Sequence, residues 1–165
     1  MNANTKLIVV GVSTAGKTTL VRHLRTEYQV EVLEFDEELT RLNGGAYPFD
    51  VDHRRNVIVP IIQQDILGRH SVVFFTNPYC FTLKQVERAR ATGFRIVELS
   101  LDREEMERRN RQRVEHEGYR DHGPYLDEMI EHQTALSEHG LIDRSIDASK
   151  PTAVIAEELI AFANQ

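Results

Sequence analysis

The chain has 165 residues, a net charge of −6 and a single cysteine, Cys80, with 41% apolar and 28% charged residues. These values fit one globular domain and exclude a disordered chain or a disulfide scaffold. The acidic balance disfavours a nucleic-acid partner, and no apolar run approaches the roughly 18 residues of a membrane span. We therefore expect one domain over residues 1–165, cytoplasmic, without a membrane segment or signal peptide, as a monomer or homodimer.

The first predicted elements are a strand, a phosphate-binding loop and a helix. The strand Lys6–Val10 runs directly into GVSTAGKT at Gly11–Thr18, a complete G-x-x-x-x-G-K-[ST] motif, and an amphipathic helix follows over Thr19–Tyr28. Such a loop turns backbone N–H groups toward phosphate oxygens, at the positive end of the helix. We expect Lys17 to reach the β- and γ-phosphates and Thr18 to ligate Mg²⁺. The residues assigned to nucleotide binding here are Gly11, Ser13, Thr14, Ala15, Gly16, Lys17, Thr18 and Thr19.

A carboxylate follows the second predicted strand, Val30–Phe35. At the carboxyl end of a parallel strand, Asp36 faces the crevice in which α/β proteins bind ligands. Alternatively, Asp36 caps the next helix, with Glu37 and Glu38 as its acidic first turn.

Beyond that strand the pattern predicts a loop, a helix and a third strand. The loop covers Asn43–Asp50, and the helix Asp52–Arg69 should kink or break at Pro60. The third strand, Ser71–Thr76, ends in Asn77, which either touches substrate or water or forms a strand-end turn. We expect Cys80 to be a buried or half-buried small side chain rather than a nucleophile.

The second half continues the alternation of helices and strands. Capping boxes are predicted at Thr82 with Gln85, for a helix ending at Gly93, and at Asp102 with Glu105. The remaining predicted elements are a fourth strand Phe94–Leu101, a helix Arg103–Glu115, a loop Glu117–Pro124, a helix from Pro124 to His139 closed by Gly140, a fifth strand Arg144–Asp147 and a last helix from Pro151 through Asn164.

Four arginines lie within six positions of the helix that begins at Arg103. Arg109 and Arg113 are spaced i,i+4 and share one face. Arg108 and Arg111 lie on other faces, where solvation or ion pairs with Glu104, Glu105, Glu107 and Glu115 are the expected outcome. Arg120 in the following loop is a further candidate for the site.

In the order of its elements the chain resembles the small P-loop kinases, the group of shikimate, gluconate and adenylate kinases. The features that carry the resemblance are the strand, P-loop and helix at the start, the carboxylate after the second strand, and the Arg-rich helix and loop after the fourth. The resemblance implies a three-layer α/β P-loop NTPase fold with a five-stranded parallel sheet in the order 2-3-1-4-5. It also implies helices on both faces and a small lid, here about residues 109–124.

The same resemblance implies the cofactors and the roles of several residues. ATP and Mg²⁺ would bind at the P-loop, with Thr18 and Asp36 near the metal. Asp36 would orient or deprotonate the acceptor hydroxyl, or hold a Mg²⁺-bound water. Arg109 and Arg113 match the R-x-x-x-R pair of the lid and would stabilise the transferring phosphoryl group, with Arg109 also beside the nucleotide. The loop Asp147–Pro151 would pack against adenine.

Acceptor recognition is expected from the stretch YPFDVDHRR, where Arg54, Arg55 and His53 are candidates for an anionic group. Tyr47 or Phe49 would pack on the acceptor. The chain departs from the group in three respects: it lacks an aspartate after the third strand, an Asp-x-Asp at the second strand and a Gly-Gly-Gly at the third. Without the first aspartate, the P-loop hydroxyl, water and Asp36 would have to hold the ion, as in several kinases of the group. The other two departures disfavour shikimate as the acceptor.

The sequence thus predicts an ATP-dependent small-molecule kinase that transfers the γ-phosphoryl group to a hydroxyl or phosphate. Its catalytic residues would be Lys17, Asp36, Arg109 and Arg113, and Arg54 and Arg55 would bind the acceptor. The alternatives are a nucleoside or nucleotide kinase and a non-transferase ATP-binding regulator or ATPase. An RNA-end kinase is disfavoured by the acidic charge, and a GTPase by the absence of the guanine-binding motif N-K-x-D.

Overall fold

The structure is a computed structural model, which describes residues 4–28 and 31–165. The first three residues, part of the stretch on which the expected absence of a signal peptide rests, lie outside the described residues. So does Val30, the predicted start of the second strand.

Five parallel strands form one sheet, in the order β2-β3-β1-β4-β5. In the central strand, Val9 is in register with Phe75 on one side and Val97 on the other. This confirms the predicted strand order. The strands are β1 (Lys6–Gly11), β2 (Val32–Glu34), β3 (Val72–Thr76), β4 (Arg95–Ser100) and β5 (Arg144–Asp147).

Helices connect the strands and cover both faces of the sheet. They are α1 (Lys17–Glu27), α2 (Phe35–Leu42), α3 (Val51–His53), α4 (Val59–Gly68), α5 (Leu83–Ala91), α6 (Arg103–Glu117), α7 (Leu126–Glu138) and α8 (Thr152–Ala163), with a π-helical turn at Arg54–Ile58 and a 3₁₀ turn at Gly123–Tyr125. None of the described helices has the length and apolar character that crossing a membrane would need.

Alternation along β1 divides the core into two layers. Leu7 and Val9 pack with the layer that includes α1 and α8, and Ile8 and Val10 pack with the layer that includes α2, α4 and α5. Side chains of a strand point alternately to opposite faces, so a strand that is buried on both faces reads as the continuous apolar run seen at this position. The three-layer α/β architecture is therefore confirmed.

Several predicted boundaries are wrong. Phe35 begins α2 rather than ending β2, because its ring packs on Phe74 in the core beneath that helix. The break predicted at Pro60, by contrast, is present: a π-helical turn at Arg54–Ile58 ends α3, and α4 begins just before the proline. Pro60 thus lies in the first turn of α4, where a residue without an N–H is accommodated.

Three helix termini also differ from the sequence prediction. Thr82 is the N-cap of α5, but its hydroxyl bonds the side chain of Gln85 and caps no backbone N–H. By contrast, the cap predicted at Asp102 is present, because the Asp102 side chain accepts from the Glu105 N–H at 2.8 Å. Helix α6 continues to Glu117 and stops at Gly118, whose φ of 67° suits glycine. Pro124 lies in the 3₁₀ turn, so α7 begins only at Leu126.

Candidate active site

The P-loop joins β1 to α1, and two glycines set its shape. A Cβ on Gly11 would lie 3.1 Å from the Cβ atoms of Ala15 and Leu99, so the loop folds back closely on the core. Gly16 has a φ of 82° and is the N-cap of α1, without a side-chain cap. The N–H groups of the first turn of α1 are therefore directed at the space in front of the loop, as an anion site requires.

Lys17 is half-buried beneath this loop. Its ammonium donates to the carbonyls of Gly11, at 2.8 Å, and Val12, at 2.9 Å. Removal from water lowers the pKa of Lys17 to about 8, against the opposing pull of the Asp36 and Glu34 carboxylates. Lys17 is thus a charge held among backbone carbonyls next to two acids.

Thr18 meets a carboxylate that the sequence analysis did not single out. Its hydroxyl donates to Oε1 of Glu34 at 2.5 Å. Glu34 is the last residue of β2 and only 6% exposed, and burial raises the pKa of its carboxyl, against the lowering effect of the Thr18 hydrogen bond. An isolated carboxylate is costly to bury. The burial of Glu34 at the carboxyl end of β2, next to a P-loop hydroxyl, therefore indicates a role in the site.

The oxygen atoms around this point suit Mg²⁺. Thr18 and Glu34 place a hydroxyl and a carboxylate oxygen together, which is the kind of donor set that Mg²⁺ takes alongside water and phosphate oxygens. The hydroxyl of Thr14 in the P-loop is buried and has no hydrogen-bond partner among the described residues. In the part of the chain that the structure describes, no group of three or more His, Cys, Asp and Glu side chains could hold a metal by itself. The phosphates of a nucleotide would have to supply the remaining ligands.

Asp36 lies just past the end of β2, as the sequence analysis placed it, but in the first turn of α2 and exposed to solvent. It does not cap the helix, since Glu34 is the N-cap and forms no side-chain cap. The charge of Asp36 acts on Lys17, Tyr47 and His122. We call the space that these four side chains border the cleft. Of the two acids, Glu34 is therefore the one in contact with Thr18, and Asp36 is the one exposed to solvent.

Helix α6 brings two arginines onto the P-loop. Arg113 donates to the Ser13 carbonyl at 3.0 Å and stacks on Tyr119, with 4.1 Å between guanidinium and ring centre. Arg109 contacts the Thr14 carbonyl at 3.4 Å and the Ala148 carbonyl at 2.9 Å, and its Nε bonds Glu105. The predicted i,i+4 pair thus converges on the loop that carries Lys17.

The other arginines of this region lie outside the convergence. Arg108 is exposed and pairs with Glu105 at 2.6 Å. Arg111 is exposed on the outer side of α6, and Arg120 donates to the Tyr125 hydroxyl at 3.0 Å. Glu105 bonds both Arg108 and Arg109, which lowers its pKa to about 2 and fixes the side chain of Arg109 from behind.

On the acceptor side, the two candidate arginines differ. Arg54 is half-buried, contacts the Tyr47 hydroxyl at 3.4 Å and the Pro48 carbonyl at 3.3 Å, and forms no ion pair with a described carboxylate. Arg55 is exposed and makes no hydrogen bond or ion pair within the described residues. Phe49 packs edge-on against Tyr47 and is 84% exposed. His53 is also exposed.

The end of β3 forms a turn. Asn77 accepts from the Tyr79 N–H at 3.1 Å and from the Cys80 N–H at 3.2 Å, which accounts for its place before Pro78. Burial raises the pKa of the half-buried Cys80 thiol to about 12. The thiol is therefore protonated at neutral pH, as expected of a structural side chain.

Sequence reasoning missed Glu34, Asn110 and His122. The only sequence signal for Glu34 was its position two residues before Asp36, at the end of an apolar strand. Asn110 is 7% exposed and bonds the loop that follows α6, and His122 lies in that loop near Arg113 and Asp36. A single Asn or His in a polar stretch gives no pattern to detect.

The comparisons with known proteins agree with this architecture. A family model described as an AAA domain matches residues 7–136. A comparison with curated protein sequences finds no match.

Among solved structures, similarity extends over nearly the whole chain at low identity. The shikimate kinase from Acinetobacter baumannii in complex with shikimate superposes with a TM-score of 0.71 at 18% identity, covering 97% of this chain and 93% of that one. A gluconokinase from Sinorhizobium meliloti 1021 superposes with a TM-score of 0.60 at 18% identity, covering 99% of this chain and 94% of that one. The YorR protein from Bacillus subtilis in complex with phosphorylated GDP superposes with a TM-score of 0.63 at 16% identity, covering 96% of each chain. The chain therefore has the fold of the small P-loop kinases and belongs to the AAA domain family.

Proposed function

We propose that this protein is an ATP-dependent small-molecule kinase, which transfers the γ-phosphoryl group of Mg·ATP to a hydroxyl or phosphate group of a small metabolite. The observation that carries the proposal is the convergence of three cations on one loop. Lys17, Arg109 and Arg113 all contact backbone carbonyls of residues 11–14. A transferring phosphoryl group concentrates negative charge on its oxygens, and fixed cations around it stabilise that charge.

On the nucleotide side, the P-loop residues hold the phosphates. The N–H groups at the start of α1 bind phosphate oxygens, Lys17 reaches the β- and γ-phosphates, and Thr18 and Glu34 hold the metal with Asp36 nearby. Magnesium held there would neutralise part of the phosphate charge. Arg109, bonded to the Ala148 carbonyl, lies next to the loop Asp147–Pro151 that we assign to the base.

On the acceptor side, Asp36 orients the acceptor hydroxyl and accepts its proton. Arg54 binds an anionic group of the acceptor, since its guanidinium is half-buried beside Tyr47 with no carboxylate partner among the described residues. Arg55 contributes a weaker, solvent-screened attraction. Residues 109–124 act as a lid that keeps water from the phosphoryl group.

A nucleoside or nucleotide acceptor is the second candidate. The exposed edge-on pair Tyr47 and Phe49, with Arg54 over the Tyr47 ring at 5.7 Å, offers an aromatic surface on which a base can stack. The same aromatic surface also accepts the apolar face of a sugar acid. A screen of acceptors distinguishes the two classes.

The test is a screen of ADP release from Mg·ATP against sugars, sugar acids, nucleosides and nucleoside monophosphates. Lys17→Ala serves as the inactive variant and Lys84→Ala, an exposed lysine of α5, as the matched control. An acceptor that stimulates release in the wild type and the control but not in Lys17→Ala supports the kinase. Release that no acceptor stimulates would favour the ATP-binding regulator or ATPase instead.

A further inference from the structure

A buried side chain of helix α6, Asn110, bonds the α6–α7 loop (residues 118–125). The Asn110 amide nitrogen donates to Oδ1 of Asp121 at 2.6 Å, and its oxygen accepts from the His122 N–H at 3.0 Å. The same Asp121 oxygen accepts from the Gly123 N–H at 2.8 Å. With both ends of its amide bonded at 7% exposure, Asn110 fixes the backbone of residues 121–123.

We call the hydrogen-bonded group of Asn110, Asp121 and the His122 N–H the Asn110 clamp. Gly123 packs closely against this clamp. A Cβ at that position would lie 3.0 Å from the Asp121 oxygen and 3.5 Å from the Asn110 nitrogen. Any other side chain would push these hydrogen-bonded atoms apart. Glycine at position 123 therefore lets the loop pack directly on Asp121 and Asn110.

The clamp lies between the two arginines that contact the P-loop. Asn110 follows Arg109 directly and precedes Arg113 by three residues, and Arg113 stacks on Tyr119 of the same loop. The two arginines and the α6–α7 loop are thus parts of one packed unit. The contacts of the arginines with the P-loop therefore also position the α6–α7 loop beside the cleft.

His122 is the loop residue whose half-buried side chain lies among charged groups of several elements. The charged groups that act on the imidazole come from three elements: Arg113 from α6, Arg120 and Asp121 from the loop, and Asp36 from α2. Burial and the two arginines lower the pKa of His122, against the opposing effect of Asp36 and Asp121. A neutral imidazole has one donor and one acceptor nitrogen, which suits a hydroxyl group as partner.

We infer that His122 contacts a hydroxyl group of the acceptor on the side of the cleft facing Asp36, and that Asn110 is the positioning residue that holds it there. This inference rests on the proposed kinase function. It adds a specificity contact for polyhydroxylated acceptors to the anion contact assigned to Arg54. Asn110 touches no substrate itself and acts through the backbone of residues 121–123.

The test compares His122→Ala, His122→Gln and Asn110→Ala with Arg111→Ala, an exposed residue of the same helix. The wild-type enzyme is first paired with the hydroxyl acceptor that the ADP-release screen identifies. Steady-state KM values for acceptor and ATP are then measured, together with hydrogen exchange at the residue 122 and Gly123 amides.

His122→Ala should raise the acceptor KM by roughly five- to tenfold, the size of one hydrogen bond, with the ATP KM unchanged. The glutamine variant should recover most of this loss, because its amide also offers a donor and an acceptor. Asn110→Ala should raise the acceptor KM similarly and also accelerate exchange at both amides, whereas His122→Ala should leave exchange unchanged. The Arg111→Ala control should match the wild type throughout.

An unchanged acceptor KM in His122→Ala, with transfer intact in the wild type, would overturn the inference while leaving the kinase in place. So would a loss that the glutamine variant does not recover, since packing alone would then explain it. If instead the wild type transfers to no acceptor, the proposed function fails and this inference fails with it.

Discussion

The P-loop and helix α6 supply positive charge to the same place by different means. In the P-loop, the glycines, Lys17 and the free N–H groups lie within eight consecutive residues, and the backbone conformation positions them. Arg109 and Arg113 instead reach carbonyls 95 and 100 residues away, and packing of α6, Glu105 and Tyr119 positions them. One half of the site is local and the other half depends on the whole fold.

The largest effect should come from the local half. Lys17→Ala should reduce phosphoryl transfer on the order of 10²- to 10³-fold, because a fixed charge on the transferring group is lost. Single-turnover rates at saturating Mg·ATP measure this directly, with Lys84→Ala as control. Retention of most of the rate in Lys17→Ala would show that the loop only binds the nucleotide.

The next effect tests the half that depends on packing. Arg113→Ala should lower kcat by about 10²-fold, and Arg113→Lys should restore little, since an ammonium does not reproduce the planar stack on Tyr119. Arg108→Ala on the neighbouring face should change kcat less than about twofold, as expected for an exposed ion-paired side chain. Equal losses in the two alanine variants would mean that α6 acts through its overall charge.

Glu34→Gln tests the contact between Thr18 at the start of α1 and Glu34 at the end of β2. The change keeps shape and the bond from Thr18 but removes the charge, and the Mg²⁺ concentration for half-maximal activity should rise by about tenfold or more. Magnesium titrations of ATP turnover measure it, with the exposed Glu27→Gln as control. An unchanged magnesium requirement would leave Asp36 as the acid that holds the metal.

The smallest effect concerns the support of α2. Arg25 pairs with Glu37 at 2.6 Å and holds the pKa of that carboxyl below its ordinary value, but both side chains are more than a third exposed. Glu37→Gln should therefore cost only about 0.5 kcal/mol of stability. Because the folded pKa is lowered, this contribution is fully present above the ordinary carboxyl pKa and is lost as the pH falls through the folded value. Urea unfolding at pH 7 and pH 3 measures the difference, which a pH-independent cost would contradict.

How far the sequence could predict the molecule follows the same division. The P-loop and the order of elements could be predicted, because each is encoded by neighbouring residues: a fixed motif in one case, apolar periodicity in the other. The start of α2 could not, since Phe35 continues the apolar run of β2 and only its packing on Phe74 places it in the helix.

For the candidate site, the spacing of Arg109 and Arg113 identified one helix face, but the carbonyls that they contact depend on packing across the sheet. Arg54 and Arg55 were indistinguishable in sequence, and burial beside Tyr47 separates them. The contact of Glu34 with Thr18 was invisible because it joins the end of β2 to the first turn of α1, and a buried acid at the end of an apolar strand leaves no periodic signal.

The most direct test of the account is the fate of the γ-phosphoryl group, followed by ³¹P NMR with wild-type protein, Mg·ATP and the acceptor selected by the ADP-release screen. If the P-loop lysine and the α6 arginines surround one transferring group, the γ-phosphorus signal should move to a phosphate ester or phosphoanhydride of the acceptor, in step with ADP formation. Appearance of inorganic phosphate alone, with the acceptor unmodified, would contradict the account and leave a hydrolytic, nucleotide-dependent regulator.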